Sequence, residues 1–129
     1  MTKYKNLKMT LLGESFIYCK YKTNSYHKII GYEGYNIIII DSDELTLITN
    51  RKELIPDGLV KNEKGWALFK IIGEMEFGSV QGLIALITNR FKEKDIGSCV
   101  ISTFSTDYFL IKSIYLPTAK KVLAEMDFS

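Results

Sequence analysis

The sequence predicts an α+β fold with antiparallel sheets, organised as two halves. Three observations predict it. Short β-branched and aromatic runs recur along the whole chain. Amphipathic helical spacing is confined to residues beyond 79. A mostly polar stretch, residues 51–65, separates a strand-rich first part from a mixed second part and holds Pro56, Asp57, Gly58 and Gly65. At 129 residues the chain suits one domain or two very small packed halves.

In the first half, Met9-Thr10-Leu11-Leu12 and Phe16-Ile17-Tyr18-Cys19-Lys20-Tyr21 predict two strands, with Gly13-Glu14 as the turn between them. Gly31 and Gly34 limit residues 26–34 to at most a helical turn. Tyr35 to Ile40 ends in four consecutive isoleucines, the composition of a strand buried on both faces. Asp41-Ser42-Asp43 is a polar turn, and Glu44 to Thr49 alternates as a half-buried strand. Residues 35–49 therefore predict a hairpin.

In the second half, Trp66 to Ile72 predicts a strand closed by Gly73. Val80, Leu83, Ile84, Ile87 and Phe91 recur at helical spacing and predict a helix over 80–94. Ser98 to Phe104 and Asp107 to Lys112 are strands joined at Ser105-Thr106. Pro117 fits the first position of a second helix, with Ala119, Val122, Leu123 and Met126 as its buried stripe. The order β-α-β-β-α is one strand short of the split β-α-β (ferredoxin-like) fold, so an N-terminal strand is expected to cover the open edge. The domain expectation is a degenerate, strand-rich half over 1–60 and a second, mixed half over 61–129, folding as one unit. Each half ends in a hairpin with an acidic turn, a weak internal symmetry.

Composition narrows the function classes. Apolar residues make up 47% and charged residues 25%, which excludes collagen-like and broadly disordered readings. Seventeen Lys and Arg against fifteen Asp and Glu give a net charge of +2, too little for a large nucleic-acid footprint. No apolar run approaches the roughly 18 residues that cross a membrane, and the polar start lacks the core of a secretion signal. Cys19 and Cys99 with the single His27 cannot fill a structural zinc site. A reduced, cytoplasmic chain without metal or cofactor is expected.

Catalytic signals are weak. His27 sits beside Tyr26 and Lys28 with no partner suggested by spacing, and reads as a surface imidazole. Asp41, Asp43 and Glu44 lack the central glycine and distal glutamate of a calcium loop, so they read as a solvated turn. No phosphate-binding glycine motif or nucleophile elbow is present. Two segments suit binding better. Gly78, Ser79, Val80, Gln81, Gly82 and Leu83 lie between a strand and a helix start. Free N–H groups there suit a carboxylate, while the glycines equally suit a tight turn and close packing. The segment Ile101 to Tyr108, which holds Ser102, Thr103, Phe104, Ser105, Thr106 and Asp107, is dense in hydroxyls and carries one acid; such residues also serve local turn bonding. In a split β-α-β sheet the hairpin approaches the glycine loop. Donors on one side and a carboxylate on the other match a zwitterion.

Phe77, the helix opening Gly82-Leu83-Ile84-Ala85, and the block Ile101-Ser102-Thr103-Phe104-Ser105-Thr106-Asp107-Tyr108-Phe109-Leu110-Ile111 together resemble the ACT-domain family. The resemblance is to the small bacterial ACT proteins related to aspartate-kinase regulatory domains and to CASTOR-type arginine sensors. Gly65-Trp66 also matches, and Asp43 to Ile48 resembles the hairpin strand of a degenerate first ACT unit. The resemblance covers about residues 8–125 and is carried mostly by those after 65. It implies two ACT-like halves and a non-enzymatic regulatory protein that binds a free amino acid between ACT units, most simply in a homodimer. The N–H groups of Ser79 to Leu83 would take the ligand carboxylate, Asp107 its ammonium or a cationic side chain. Thr103 to Thr106 would add polar contacts, and Phe104 would wall the pocket.

Two other functions are open to the same topology. A nucleic-acid-binding ferredoxin-like module needs exposed aromatics interleaved with basic residues on its sheet. Cys99-Val100-Ile101, in the expected central strand, is apolar with no Lys or Arg beside it, which argues against that use. A dimerisation partner with a vestigial pocket is compatible with every residue above. The sequence names neither the amino acid nor a protein target.

Overall fold

The computed structural model describes residues 7–22, 34–51, 59–73 and 82–126. Six strands and two helices follow in the order β1 (Lys8–Tyr21), β2 (Ile37–Ile40), β3 (Leu45–Thr49), β4 (Lys61–Ile72), α1 (Leu83–Glu93), β5 (Ser98–Ser102), β6 (Asp107–Lys112) and α2 (Leu116–Ala124). The fold is α+β, and the pairs β1–β3, β2–β3 and β5–β6 are antiparallel.

The chain divides into a central unit, Ser15–Trp66, and a terminal unit made of Met1–Glu14 with Ala67–Ser129. Strands β1 and β4 each pass through the division, so each serves one unit with its first half and the other with its second. In the terminal unit the strand order is β1-β4-β6-β5, and the start of β1 supplies the strand that the sequence left missing. The central unit has the order β2-β3-β1-β4. The two orders are the same arrangement, with β2, β3, β1 and β4 in one standing where β5, β6, β4 and β1 stand in the other. The division differs from the sequence boundary at residue 60 because Leu7, Met9 and Leu11 pack in the core of the terminal unit.

The internal repeat extends to the turns. In the first hairpin the Asp41 N–H donates to the Glu44 carbonyl at 3.1 Å, and the Asp41 carboxylate accepts from the N–H groups of Asp43 and Glu44 at 2.7 and 2.8 Å. In the second, the Thr103 N–H donates to the Thr106 carbonyl at 2.8 Å, and the Thr103 hydroxyl accepts from the Thr106 N–H at 3.2 Å. A short oxygen-bearing side chain closes each turn. Asp41 and Thr103 therefore occupy equivalent positions.

Four expectations are corrected. Cys99-Val100-Ile101 does not lie in a central strand, because β5 ends the strand order beside β6. Gly13-Glu14 is not a turn, because β1 runs unbroken for 14 residues. Met9, Leu11, Ile17, Cys19 and Tyr21 are all odd-numbered and all core-facing, a parity that an intervening turn would have broken. The isoleucine strand β2 is not buried on both faces; it ends the strand order, and Ile39 and Ile40 are exposed. Residues 61–65 are not loop but the start of β4, polar and exposed because this half of β4 ends the central unit's strand order.

The terminal unit's core gathers Ala67, Phe69 and Ile71 of β4, Phe109 and Ile111 of β6, and both helices. Helix α1 contributes Leu83, Ile87 and Phe91, spaced four apart, while Ile84 is exposed; the predicted stripe was one residue too wide. Burial of side chains such as Ile87 and Phe91 contributes about 1.5–3 kcal/mol each. Helix α2 starts at Leu116, one residue before Pro117, after a 3₁₀ turn over Ser113–Tyr115. It buries the expected Ala119, Val122, Leu123 and, just past its end, Met126. In the central unit Ile17, Cys19, Tyr21, Leu45 and Leu47 form a second cluster. Outside that cluster, Trp66 packs on Tyr18 with ring centres 5.5 Å apart.

Candidate functional site

The segment Ser102–Asp107 is held by four side-chain hydrogen bonds, three of them made by its own hydroxyls within the turn and its flanks. Besides accepting from the Thr106 N–H, the Thr103 hydroxyl donates to the Thr106 carbonyl at 3.1 Å, so this one oxygen closes the turn from both sides. Ser102 and Asp107 face each other across the β5–β6 ladder, and the Ser102 hydroxyl donates to Asp107 Oδ1 at 2.6 Å. Asp107 is the first residue of β6 rather than a turn residue, and it is buried at 8% exposure. Its Oδ2 makes no hydrogen bond among the described residues. A carboxylate so placed keeps one oxygen for a cation.

The fourth bond reaches outside the hairpin. The buried Thr106 hydroxyl donates to the carbonyl of Ile71. Ile71 is the penultimate residue of β4, which the chain leaves at Gly73 on the way to α1. The hairpin turn is thereby fastened to the end of β4.

On the other side, α1 starts at Gly82, whose φ of +76° is left-handed backbone that favours glycine. No side chain caps this helix and no acid occupies its first turn. The Leu86 N–H donates to the Gly82 carbonyl at 2.8 Å, so the helical ladder begins there and the preceding N–H groups of the first turn lie ahead of it. Leu83 sends its side chain into the core, leaving only its backbone for a ligand. Gly78, Ser79, Val80 and Gln81 lie outside the described residues.

Of the hairpin residues, Thr103, Thr106 and Asp107 are engaged as above, and Ser105 is exposed. Phe104 is 86% exposed. Sequence reasoning placed Ser102 in the hydroxyl-rich segment but not among the ligand residues, and it missed the Ile71 carbonyl as a member of the group. The turn closure between Thr103 and Thr106 sets the register, and that register alone puts Ser102 opposite Asp107. Lys70, one residue before Ile71, places its ammonium 5.6 Å from the centre of the Tyr108 ring, next to Asp107 in sequence.

Other chemistry is sparse. Among the described residues no three His, Cys, Asp or Glu side chains lie together as a metal site. His27 lies outside the described residues. Cys19 and Cys99 are free thiols that burial pushes above the ordinary value, consistent with small apolar residues rather than nucleophiles. A cleft of about 370 Å³ between the start of β1, Phe69 and α2 is lined by none of the candidate ligand residues. Among the described residues no helix is long and apolar enough to cross a membrane.

Residues 61–125 match the family model described as the ACT domain. Protein Atu0741 from Agobacterium tumefaciens is 25% identical and superposes with a TM-score of 0.78 over 96% of this chain and 91% of that one. The regulatory subunit of aspartate kinase from Thermus thermophilus, in its ligand-free form, is 11% identical with a TM-score of 0.66, over 96% of this chain and 98% of that one. Aspartokinase III from E. coli, solved in complex with lysine and aspartate, is 14% identical with a TM-score of 0.54; 97% of this chain covers 32% of that one. No curated protein matches the sequence significantly.

Proposed function

Because the chain belongs to the ACT-domain family, whose members are regulatory, ligand-binding modules rather than catalysts, we propose that it is a sensor of a free amino acid. The ligand sits between the hairpin turn Thr103–Asp107 and the loop that opens α1, and a second copy of the chain closes the site. One observation carries this reading: the Thr106–Ile71 hydrogen bond, which fastens the hairpin to the strand that runs into that loop. The start of α1 then presents N–H groups to a carboxylate, and Asp107 Oδ2 takes an ammonium. A charge-assisted bond of this kind contributes about 1.5–3 kcal/mol net. The amino-acid class is supported by the complex of E. coli aspartokinase III with lysine and aspartate, a protein that shares the fold.

The second copy follows from enclosure. Phe104 at 86% exposure leaves the hairpin side open, and good small-molecule sites bury most of their ligand. A two-fold partner covers that side and makes two equivalent sites. Ligand and dimer then stabilise each other by linkage. Sedimentation and calorimetric titration of Gly82→Trp test the reading together. A Cβ at Gly82 meets nothing within 4 Å, while the φ of +76° strains any L side chain placed there. Dimerisation and amino-acid binding are expected to fall together while the melt stays cooperative. A monomer that binds an amino acid tightly overturns the shared site.

A further inference from the structure

The two helices of the terminal unit do not cover its sheet evenly. On the face turned toward them, Ala67, Phe69 and Ile71 of β4 and Phe109 and Ile111 of β6 are all buried. Met9 and Leu11 of β1 turn to the same core but are only half-buried. Strand β1 ends the order β1-β4-β6-β5, and over it the helical layer leaves a gap. The gap is the cleft of about 370 Å³ between the start of β1, Phe69 and α2. That volume lies within the range of about 300–1,000 Å³ typical of small-molecule sites.

Its walls are apolar and its charges are of one sign. Met9, Leu11 and Phe69 line it from the sheet. On α2, Lys120, Leu123 and Ala124 line it together, as i, i+3 and i+4 neighbours on one helix face. Lys8 alternates with Met9 along the strand, so it borders the cleft at the sheet edge. Among the described residues these two lysines are the only charged groups of the lining. Both are exposed, and neither has an ion-pair partner among the described residues. Glu125, next to Ala124 in the chain, is not part of the wall. The carbonyls of Lys121 and Leu123 at the end of α2, which would repel an anion, accept instead from the N–H groups of Glu125 and Met126 at 3.2 and 3.1 Å.

We propose that this cleft binds a small amphipathic monoanion. An alkyl or aryl chain lies against Met9, Leu11, Phe69 and Leu123, and its single carboxylate stands at the rim beside Lys120. The apolar walls remove the chain from water. The lysine supplies a point charge on a flexible stem, which suits a carboxylate held at an open rim. A free amino acid is disfavoured by the same lining, since its ammonium meets two lysines and no carboxylate. The cleft therefore takes a different ligand class from the zwitterion of the hairpin, through none of the same residues.

Titration of the full-length chain with octanoate, followed by amide chemical shifts, tests it. Saturable shifts should appear at residues 9–11, 69 and 120–124. Octan-1-ol carries the same chain without the charge and serves as the comparison. Lys120→Glu should weaken octanoate roughly tenfold while octan-1-ol changes by less than about twofold. Ala124→Phe should abolish binding of both by filling the cleft. Lys120 and Ala124 are exposed positions of α2, so both variants should keep a cooperative melt. Absence of shifts at these residues up to about 10 mM octanoate overturns the proposal. So does equal weakening of the two compounds by Lys120→Glu, or binding that survives Ala124→Phe. The test asks nothing of Asp107 or the start of α1, so failure here leaves the amino-acid site standing, and the converse holds.

Discussion

Ser102 and Asp107 close the last rung of the β5–β6 ladder through their side chains, hydroxyl to carboxylate at 2.6 Å. The bond fixes Asp107 Oδ1, and Oδ2 is the atom proposed to accept from a ligand. A buried carboxylate held by a neighbouring hydroxyl is preorganised: the position it takes to bind is the one it already has.

Asp107→Asn keeps an oxygen for Ser102 and loses the charge. Its folding stability should change by less than about 1 kcal/mol, while Asp107→Ala, which strands the Ser102 hydroxyl, should cost about 1–2 kcal/mol. Amino-acid affinity should fall roughly tenfold or more in both. Urea unfolding and calorimetric titration separate the two effects. Wild-type affinity in Asp107→Asn would remove this carboxylate from the site.

Thr106→Val is nearly isosteric and deletes the hydroxyl that holds Ile71. The buried Ile71 carbonyl loses its side-chain donor, and the expected cost is about 1–3 kcal/mol. Ligand affinity should fall as well, since the turn is no longer fastened to β4. Unchanged stability in urea would show that this bond holds nothing in place.

Asp41 gives a pH signature. The N–H groups of Glu44 and then Asp43 bond its carboxylate and hold its pKa below the ordinary 3.8. A carboxylate with a depressed folded-state pKa stabilises the fold above its unfolded value, and the effect fades as pH falls through the folded value. Asp41→Ala should therefore melt earlier than wild type at neutral pH, with the gap closing below about pH 4. A gap that persists unchanged into strong acid would show that the turn bonds do not involve the ionised form.

Much of this was legible in the sequence where local chemistry decides the structure. The hydroxyl-rich hairpin, the Asp41 turn, the stripe Leu83-Ile87-Phe91 and the stripe of α2 are all set within a few residues. What escaped depends on pairing across long separations. Four isoleucines specify a strand but not its neighbours, so composition could not tell that β2 is an edge. Lys61 to Gly65 are polar because that half of β4 is itself an edge of the central unit. The parity of Met9, Leu11, Ile17, Cys19 and Tyr21 was present as a signal that β1 is one strand. Gly13 masked it by resembling a turn.

The terminal unit includes residues 1–14, and Leu7, Met9 and Leu11 belong to its core. A fragment beginning at Gly65 lacks that strand and exposes the edge of β4 and the helix-facing surface it covers. It should be insoluble or melt without cooperativity. A sharp thermal transition and dispersed amide spectrum from the 65–129 fragment would contradict the role assigned to β1.

The most direct measurement is a thermal-shift screen of the full-length chain against the twenty amino acids. A ligand that binds only the folded state raises its melting temperature by mass action. One amino acid, or a chemically related few, should raise it in a concentration-dependent manner, and the same compounds should lose their effect on Asp107→Asn. If no amino acid moves the transition at millimolar concentration, or if the shift persists undiminished in Asp107→Asn, the hairpin is not an amino-acid site.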